Sequence, residues 1–447
     1  MTNVCTMIQR SPSSCRRLLT LRASASSLLP PTMTSTSYKS DFPGVLVLCL
    51  ALAALVAKVA IAYNTLGTND AVFFYGFGYG IRKYGLAWTY AHSIYFNHPP
   101  LTAYYLRAIY ALSQQQWCRD HGIHFPFLLR LPGIFADFFV VLILVRIAKL
   151  NIGFGVPTWA LAVFALSPVS LMVSGFHGNT DPVMVLFLIC AAFMCLRNRP
   201  ALCGVFFALS CQVKIVSLLL TPAFFFFWLA RGKTMRFVIP MSVVSAALWA
   251  EPLLKCPALF FKNVLSYGSY WGIWGITYCL RLTRLDCFSR VSFFDLSVAQ
   301  AVTMSLLKLV IVTATIAIAW RRRHLAGPAL LHSLAYIWMI FFIFAPGVCV
   351  QYLVWLAPFV LILSPAFYTY LLAASSIFLF VFYNVTAHGL PWMVSVSMNE
   401  FREQWAPYSL LPWCVLIAGA IALWRRSSGS SARLPLINYE VVPVENG

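Results

Sequence analysis

Acidic residues are scarce in this 447-residue chain: 12 Asp and Glu stand against 32 Lys and Arg, for a formal net charge of +20. Only 10% of the residues are charged, whereas 61% are hydrophobic. No polar stretch between the apolar runs is long enough to form a separate soluble domain. The basic residues occur in short clusters between apolar runs, a pattern that orients membrane helices. Nucleic-acid binding is therefore not expected, despite the positive charge.

Cysteine pairs of the kind that bind metals are also missing. The 13 cysteines include no Cys-x-x-Cys pair. Most lie inside apolar runs, where a free cysteine behaves as a small hydrophobic residue. Cys256, Cys279 and Cys287 fall in one predicted outer loop and could form a disulfide if that side of the membrane is oxidising. No fixed-period repeat is evident.

Long apolar runs recur from Phe42 to Trp424. A helix needs roughly 20 apolar residues to cross about 30 Å of hydrocarbon, and basic clusters between spans belong on the cytoplasmic side. The sequence therefore predicts an all-α polytopic membrane protein of about 12 membrane segments, with both termini cytoplasmic. Ten spans follow directly from the runs: 43–63, 127–147, 156–175, 181–196, 234–252, 298–320, 326–345, 348–364, 366–387 and 408–424.

Two other apolar stretches need separate treatment. The stretch 99–114 is short and carries Arg107 at its centre, which is typical of a helix that lies in the outer membrane interface. The stretch 201–230 has an arginine near each end, and both ends should be cytoplasmic. Two short helices joined near Lys214 satisfy that condition. They place Lys214 within the membrane's depth, where an ionisable residue usually has a partner and a function.

The chain divides into three parts. Residues 1–41 are rich in Ser and Arg with no acid before Asp41, as expected for a transit peptide or for a start codon assigned too early. That leader and the tail 426–447 are predicted to be disordered, the tail on the cytoplasmic side. The membrane domain is predicted over 42–425, with its outer loops at 64–126, 176–182 and 253–297.

The predicted outer side collects polar residues next to apolar spans. Asp70 opens the large first outer loop, although Asn69 or Asp70 could simply cap a following helix. The polar segment 176–182 could be an ordinary turn, but a turn does not require His177. The candidate site residues on this side are Asp70, His98, Arg130, His177, Asp181, Lys262, Tyr267 and Gln351.

These positions together resemble the GT-C glycosyltransferases, integral membrane enzymes that use polyprenyl-phosphate sugars. Asn69-Asp70 matches the acidic motif of their first outer loop. His98-Pro-Pro-Leu-Thr-Ala-Tyr104 is similar to the Tyr-Pro-Pro-Leu-Thr-Ala-Tyr signature of the dolichyl-phosphate-glucose glucosyltransferases, with His98 in place of the first Tyr. Gln351-Tyr-Leu-Val-Trp355 is similar to the Gln-Tyr-Phe-Leu-Trp of the first mannosyltransferase of GPI-anchor assembly. The resemblance covers about 42–365.

Shorter matches support the same family. Arg130 followed by Ala136-Asp137 is similar to a pattern that opens the next span in these enzymes. The segment 176–181 resembles their His-Phe-Gln-Tyr-Asn only loosely. Gln212-Val-Lys214 falls where they carry a Lys-Gln pair at a helix break, and 262–275 resembles a stretch of bacterial relatives.

The resemblance implies an inverting hexosyltransferase that acts on the non-cytoplasmic face. Asp70 would be the general base that takes the proton of the acceptor hydroxyl. Lys262, Arg130 and Lys214 would stabilise the polyprenyl phosphate as it leaves, while His177 and Asp181 would position the sugar or tune the base. His98, Tyr267 and Gln351 complete the predicted substrate-binding set.

The remaining expectations concern cofactors, partners and compartment. Asp70 stands alone rather than in an Asp-x-Asp pair, so no metal cofactor is predicted, although dependence on a divalent metal stays open. The predicted partners are a polyprenyl-phosphate sugar, a glycan or lipid-linked acceptor, and membrane lipids. The first half of the chain favours glucose as the donor sugar, and the region of Gln351 favours mannose. A bacterial cytoplasmic membrane is favoured, or the endoplasmic reticulum membrane if the source is eukaryotic.

Two other classes of function compete with sugar transfer. A lipid or glycolipid transporter would be expected to show internal repeats and paired ionisable residues near the membrane midplane. In the sequence, Lys214 and Asp137 stand isolated. A membrane acyltransferase would need a catalytic histidine within a helix, but His332 lies toward the predicted cytoplasmic side.

Overall fold

The structure is a computed structural model that describes residues 44–150, 155–265, 270–291, 295–396 and 404–429, with side chains to 425. The leader 1–41, the tail beyond 429 and Tyr267 lie outside the described residues. The described chain is almost entirely helical, as expected for a helical membrane protein. The last helix continues to Gly429, a little beyond the predicted end of the membrane domain.

Eight helices of the described chain are long and apolar enough to cross a membrane. Their bounds agree with predicted spans to within a few residues, because the length and hydrophobicity of a spanning helix are visible in the sequence. These helices are Gly44–Asn64, Phe125–Ala148, Thr158–His177, Thr234–Lys255, Val298–Arg321, Gly327–Phe344, Pro365–Thr386 and Ala406–Arg425.

Four shorter apolar helices accompany them: Asp181–Leu196, Pro200–Val213, Ile215–Leu229 and Val350–Leu363. The predicted break in the stretch 201–230 is confirmed. The helix before it ends at Val213, Lys214 adopts an extended conformation, and a 3₁₀ turn over Ile215–Leu220 starts the next helix. The number of segments that cross the bilayer stays a prediction.

The segment 64–126, predicted as the first outer loop, folds into four helices: Asn69–Tyr84, Leu86–His92, Pro100–Ser113 and Gln116–Asp120. The first three of these helices bury apolar residues such as Phe74 and Phe77 in a hydrophobic cluster that also takes in Phe96, the start of the Phe125–Ala148 helix and the segment 256–264. The stretch predicted to lie in the interface is the 14-residue helix that begins at Pro100. Proline suits the first helical position, where no backbone N–H is needed.

The rest of the described chain contributes short elements. A parallel pair of two-residue strands joins Gly67–Thr68 to Val394–Ser395. It ties the segment before Asp70 to the loop that follows the Pro365–Thr386 helix. The other elements are a π-helix at Leu171–His177, helices at Pro257–Phe260, Gly275–Leu282 and Asp286–Ser289, a π-turn at Phe261–Leu265, and 3₁₀ turns at Val350–Val354 and Ala406–Ser409.

Candidate functional site

A polar cavity of about 270 Å³ lies where the outer-loop helices meet the spans. It collects residues from six separate parts of the chain: 68–98, 177–179, Lys214, 270–273, 348–352 and 382–405. Five of the predicted site residues line it: Asp70, His98, His177, Lys214 and Gln351. We call this space the polar cavity.

Asp70 lies in the first turn of the Asn69–Tyr84 helix. The residue at the cap position is Thr68, whose side chain makes no capping hydrogen bond, so the interpretation of Asn69 or Asp70 as a cap is wrong. An acidic side chain at this end of a helix is stabilised by the helix dipole.

The chain before Asp70 is anchored on both sides. Thr68 Oγ1 donates a 2.8 Å hydrogen bond to the backbone oxygen of His177. Gly67 has φ +83°, and a Cβ atom there would meet the backbone oxygen of Phe176 at 2.7 Å. Only glycine therefore fits this approach.

Two side chains donate to one oxygen of Asp70. Asn179 Nδ2 lies 2.8 Å from Oδ2, and His177 Nε2 lies 3.1 Å from the same atom. Both donors come from the polar segment 176–182. Because both bonds fall on Oδ2, Oδ1 is the carboxylate atom left to accept a proton from a substrate.

The environment keeps Asp70 ionised. Burial raises the pKa of the Asp70 carboxyl. The hydrogen bond and charge of His177, the charge of Lys214 and the hydrogen bond from Asn179 outweigh burial and lower the pKa below its ordinary value. An ionised carboxylate can only accept hydrogen bonds, so Nε2 of His177 carries the proton between them.

His177 is oriented by a third group. Its Nδ1 lies 2.8 Å from the hydroxyl of Tyr383, which is fully buried. The contact with the Tyr383 hydroxyl fixes the orientation of the His177 ring through Nδ1. The order of groups is therefore Tyr383, His177 and Asp70, in which a hydroxyl fixes an imidazole and the imidazole fixes a carboxylate.

His177 ends the π-helix Leu171–His177, and Gly178 follows it with φ +86°. A π-helical segment is rare and often accompanies a functional site. The end of this one is held by Arg130, whose Nη1 donates to the backbone oxygens of Gly175 and Phe176.

Arg130 itself lies outside the polar cavity. Its side chain is buried, and its remaining hydrogen bonds go to the backbone oxygens of Pro126, Ala62 and Thr65 and to the Thr65 hydroxyl. A guanidinium that is saturated in this way positions the backbone near His177 and has no donor left for a leaving phosphate.

His98 lines the polar cavity among aromatic rings, with Phe74 at 4.9 Å between ring centroids. Burial and the charge of Lys214 lower the pKa of His98 well below its ordinary value, although the Asp70 charge opposes them. His98 is therefore a neutral imidazole, able to hydrogen-bond but carrying no charge.

Lys214 is held at the cavity edge by Asp181. Its Nζ lies 3.4 Å from Asp181 Oδ2, while Oδ1 of the same carboxylate accepts a 2.6 Å hydrogen bond from Trp355 Nε1. Asp181 is fully buried and does not line the cavity. It therefore positions Lys214 and Trp355 rather than a substrate.

The segment Pro99-Pro-Leu-Thr102 also helps to position Lys214. Thr102 Oγ1 donates a 3.0 Å hydrogen bond to the backbone oxygen of Val213, at the helix break directly before Lys214. A backbone oxygen freed by such a break needs a donor, and Thr102 supplies it.

A second, apolar cavity of about 510 Å³ adjoins the first. Asn97, Lys214 and Tyr352 line both spaces. The walls of the second space come mainly from the helices Ile215–Leu229 and Val298–Arg321, and they include exposed apolar side chains such as Leu218 and Ile316. We call this space the apolar groove.

The other predicted residues lie elsewhere. Lys262 is exposed and lines neither the polar cavity nor the apolar groove. Cys256, Cys279 and Cys287 are free thiols, so the disulfide considered from the sequence is not formed. Among the described residues, no three His, Cys, Asp or Glu side chains are grouped as a metal site would require.

Sequence reasoning missed several residues of the polar cavity. Trp405 lines the cavity but looks like an ordinary aromatic residue of the membrane interface. Tyr383 does not line the cavity but contacts His177, and it stands in an apolar helix that gives no sign of this contact. Ser395 reaches the cavity through the short strand pair, which no sequence pattern indicates. Asn179 was visible within the polar segment 176–182, but only as a turn former.

A buried ion pair lies away from both cavities. Lys58 Nζ is 2.7 Å from Asp137 Oδ2, and the same oxygen accepts hydrogen bonds from Ser170 and Ser174. Lys214 likewise pairs with Asp181. The interpretation of Asp137 and Lys214 as isolated residues, which counted against a transporter, is therefore wrong.

A comparison with family models and with curated proteins finds no match for this chain.

Proposed function

We propose that this protein is an inverting membrane glycosyltransferase of the GT-C type, which moves a hexose from a polyprenyl-phosphate carrier to an acceptor hydroxyl. The observation that carries the proposal is the junction of the polar cavity with the apolar groove at Asn97, Lys214 and Tyr352. A lipid-linked sugar has the same two parts, a polar head and an apolar chain. The polar cavity holds the candidate base, and the apolar groove suits the chain.

The reaction is a single displacement at the anomeric carbon. The acceptor oxygen forms a bond to that carbon while the bond from the carbon to the phosphate oxygen breaks, and the bonding electron pair leaves with the phosphate. Asp70 Oδ1 takes the proton of the acceptor hydroxyl. General-base catalysis of this kind contributes typically about 10²–10⁴-fold.

His177 and Asn179 hold the carboxylate in position through Oδ2. A base with a lowered pKa is weak, which suits a step in which the proton moves late, as the sugar–phosphate bond opens. The phosphate is a good leaving group, so it needs a nearby cation more than an acid. Lys214 lies at the junction and fills that role, whereas Arg130 and Lys262 do not reach it.

The membrane arrangement proposed here has about 12 segments, with the polar cavity on the non-cytoplasmic face and a bacterial cytoplasmic membrane as the compartment. The hexose is glucose or mannose, and the acceptor is a lipid-linked glycan or another hydroxyl. His98 and Gln351 line the polar cavity and are the proposed contacts of the sugar.

A lipid or glycolipid transporter is the second candidate, and the two buried ion pairs favour it. Lys58 and Asp137, however, adjoin only a space of about 10 Å³, too small for a substrate. The pair of Lys214 and Asp181 lies at the cavity junction, where sugar transfer already accounts for it. Sugar transfer uses the pair of Lys214 and Asp181, and the pair of Lys58 and Asp137 lies away from both cavities, so neither pair requires transport.

The test uses purified full-length protein in lipid nanodiscs with labelled polyprenyl-phosphate glucose and polyprenyl-phosphate mannose in parallel, without any gradient. Transfer of one label to a membrane-extract acceptor supports the proposal. The Asp70→Asn variant should lose transfer by about 10²-fold or more. The control is Asp120→Asn, an exposed acid far from the cavity. Transfer by Asp70→Asn at the parental rate would overturn the proposal.

A further inference from the structure

Lys308 is a lysine in an unusual place. It lies ten residues into the apolar helix Val298–Arg321, about 15 Å from its start at 1.5 Å per residue. Its side chain lines the apolar groove together with Ile311, Val312 and Thr315. Neither the mechanism above nor the sequence patterns use it.

The charge of Lys308 has no counterpart within the described chain. No ion pair or hydrogen bond joins it to the described residues, which include seven of the 12 acids of the sequence. A charge in an apolar environment is costly unless an opposite charge accompanies it. The groove therefore carries a positive charge without a counter-charge among the described residues, and it suits an anionic ligand.

Lys214, the other cation of the groove, is already partly neutralised. Its ammonium faces the Asp181 carboxylate at 3.4 Å, and the Asp70 carboxylate lines the adjoining cavity. A phosphate bound beside Lys214 alone would meet little net positive charge. Lys308 is exposed on the wall of the same groove and is its second cation, so it adds positive charge that Lys214 alone does not supply.

We propose that the apolar groove selects a long-chain prenyl phosphate monoester, with Lys308 as the residue that recognises its second negative charge. This inference rests on the proposed function. The sugar-bearing donor is a phosphodiester with one negative charge. Breaking the bond to the sugar leaves a monoester of about −1.5 to −2 at pH 7, with a second pKa near 6. The groove therefore binds the spent carrier more tightly than the donor, and the enzyme is inhibited by its own product.

The same preference acts during the reaction. Negative charge grows on the phosphate as the sugar leaves, and a fixed cation that interacts more strongly with the product charge also stabilises the transition state. Lys308 would thus speed bond breaking and slow release of the carrier. Exchange of the spent carrier for fresh donor becomes the slow step of turnover.

The experiment measures binding by the full-length protein in nanodiscs of neutral phosphatidylcholine. The probes are a long-chain prenyl monophosphate, its methyl phosphodiester and the free prenyl alcohol. The parent should bind the monophosphate about fivefold or more tightly than the diester at pH 7.5, the lower end of what one unit-charge contact at about 4 Å supplies. The preference should shrink below pH 6, where the monoester takes up a proton.

The Lys308→Gln variant should bind monoester and diester about equally, while its affinity for the alcohol stays unchanged. The control is Lys255→Gln, an exposed lysine paired with Glu251 outside both cavities, which should keep the parental preference. Unchanged binding of the alcohol shows that Lys308→Gln is folded with an intact groove.

Three results would overturn the inference: no preference in the parent, a preference kept by Lys308→Gln, or equal competition by phosphatidylglycerol, an ordinary monoanionic phosphodiester. The two proposals fail separately. Sugar transfer without a Lys308-dependent preference refutes this inference alone, whereas a preference without sugar transfer refutes the proposed function alone.

Discussion

His177 Nε2 lies 3.1 Å from Asp70 Oδ2, although the two residues are 107 positions apart in the chain. The contact joins the Asn69–Tyr84 helix to the end of the π-helix Leu171–His177, which overlaps the polar segment 176–182. Tyr383 completes the arrangement from a third helix. The orientation of the candidate base therefore depends on two residues that need not touch a substrate.

Replacing Tyr383 by Phe should lower kcat by about tenfold, the effect of roughly 1.4 kcal/mol, with little change in KM for the donor. The loss follows because His177 loses the hydroxyl that fixes the orientation of its ring. Steady-state transfer kinetics measure it. The control is Tyr105→Phe, since Tyr105 donates to the backbone oxygens of Leu128 and Leu129 outside the cavity. Equal losses of kcat in both variants would mean that Tyr383→Phe acts by destabilising the protein in general.

The lengths of the apolar runs were enough to predict the long helices, because a membrane span has a sequence signature that does not depend on its neighbours. The break at Lys214 was also predictable, from the positions of basic residues at the two ends of one apolar stretch. These are local properties.

The contacts of the candidate site were less predictable. Arg130 and Lys262 looked as suitable for a phosphate as Lys214 does, because sequence does not show which cation is saturated by backbone oxygens or directed away from the cavity. Tyr383 sits in an apolar helix and carries no signal of its contact with His177. The pairing of Lys58 with Asp137 spans 79 positions and depends on how three helices pack.

The pH dependence of transfer should report the lowered pKa of Asp70. A base with a lowered pKa keeps its proton-accepting form as the pH falls, so the acid limb of kcat/KM, which reports the free enzyme, should lie below the ordinary aspartate value of about 3.9 where it belongs to Asp70. Asn179→Ala removes a donor to the carboxylate and should move that limb to higher pH. A limb above pH 5 in the parent that moves further upward in Asn179→Ala would contradict the expected pKa.

Replacing Thr102 should weaken binding of the donor more than it lowers the stability of the protein. Thr102→Val removes the hydrogen bond to the Val213 backbone oxygen and should lower the free energy of unfolding by about 0.5–1.5 kcal/mol. It should also raise KM for the donor, since Lys214 follows directly. The matched control is Thr89→Val, because Thr89 is equally buried and donates within its own helix segment to Gly85. A KM increase of the same size in both variants would exclude a specific link to Lys214.

The ion pair of Lys58 and Asp137 should contribute to the stability of the protein and not to sugar transfer. Asp137→Asn leaves a buried lysine without its carboxylate, which should cost about 3–5 kcal/mol of unfolding free energy, whereas the double variant Lys58→Met with Asp137→Asn should recover most of that loss.

Thermal unfolding in nanodiscs measures both variants. Glu251→Gln, at the exposed pair with Lys255, is the control and should cost no more than about 1 kcal/mol. The double variant should still transfer sugar, because neither residue lines the polar cavity or the apolar groove. A double variant that is as stable as the parent but inactive would show that the charges themselves are needed, as a transporter would require.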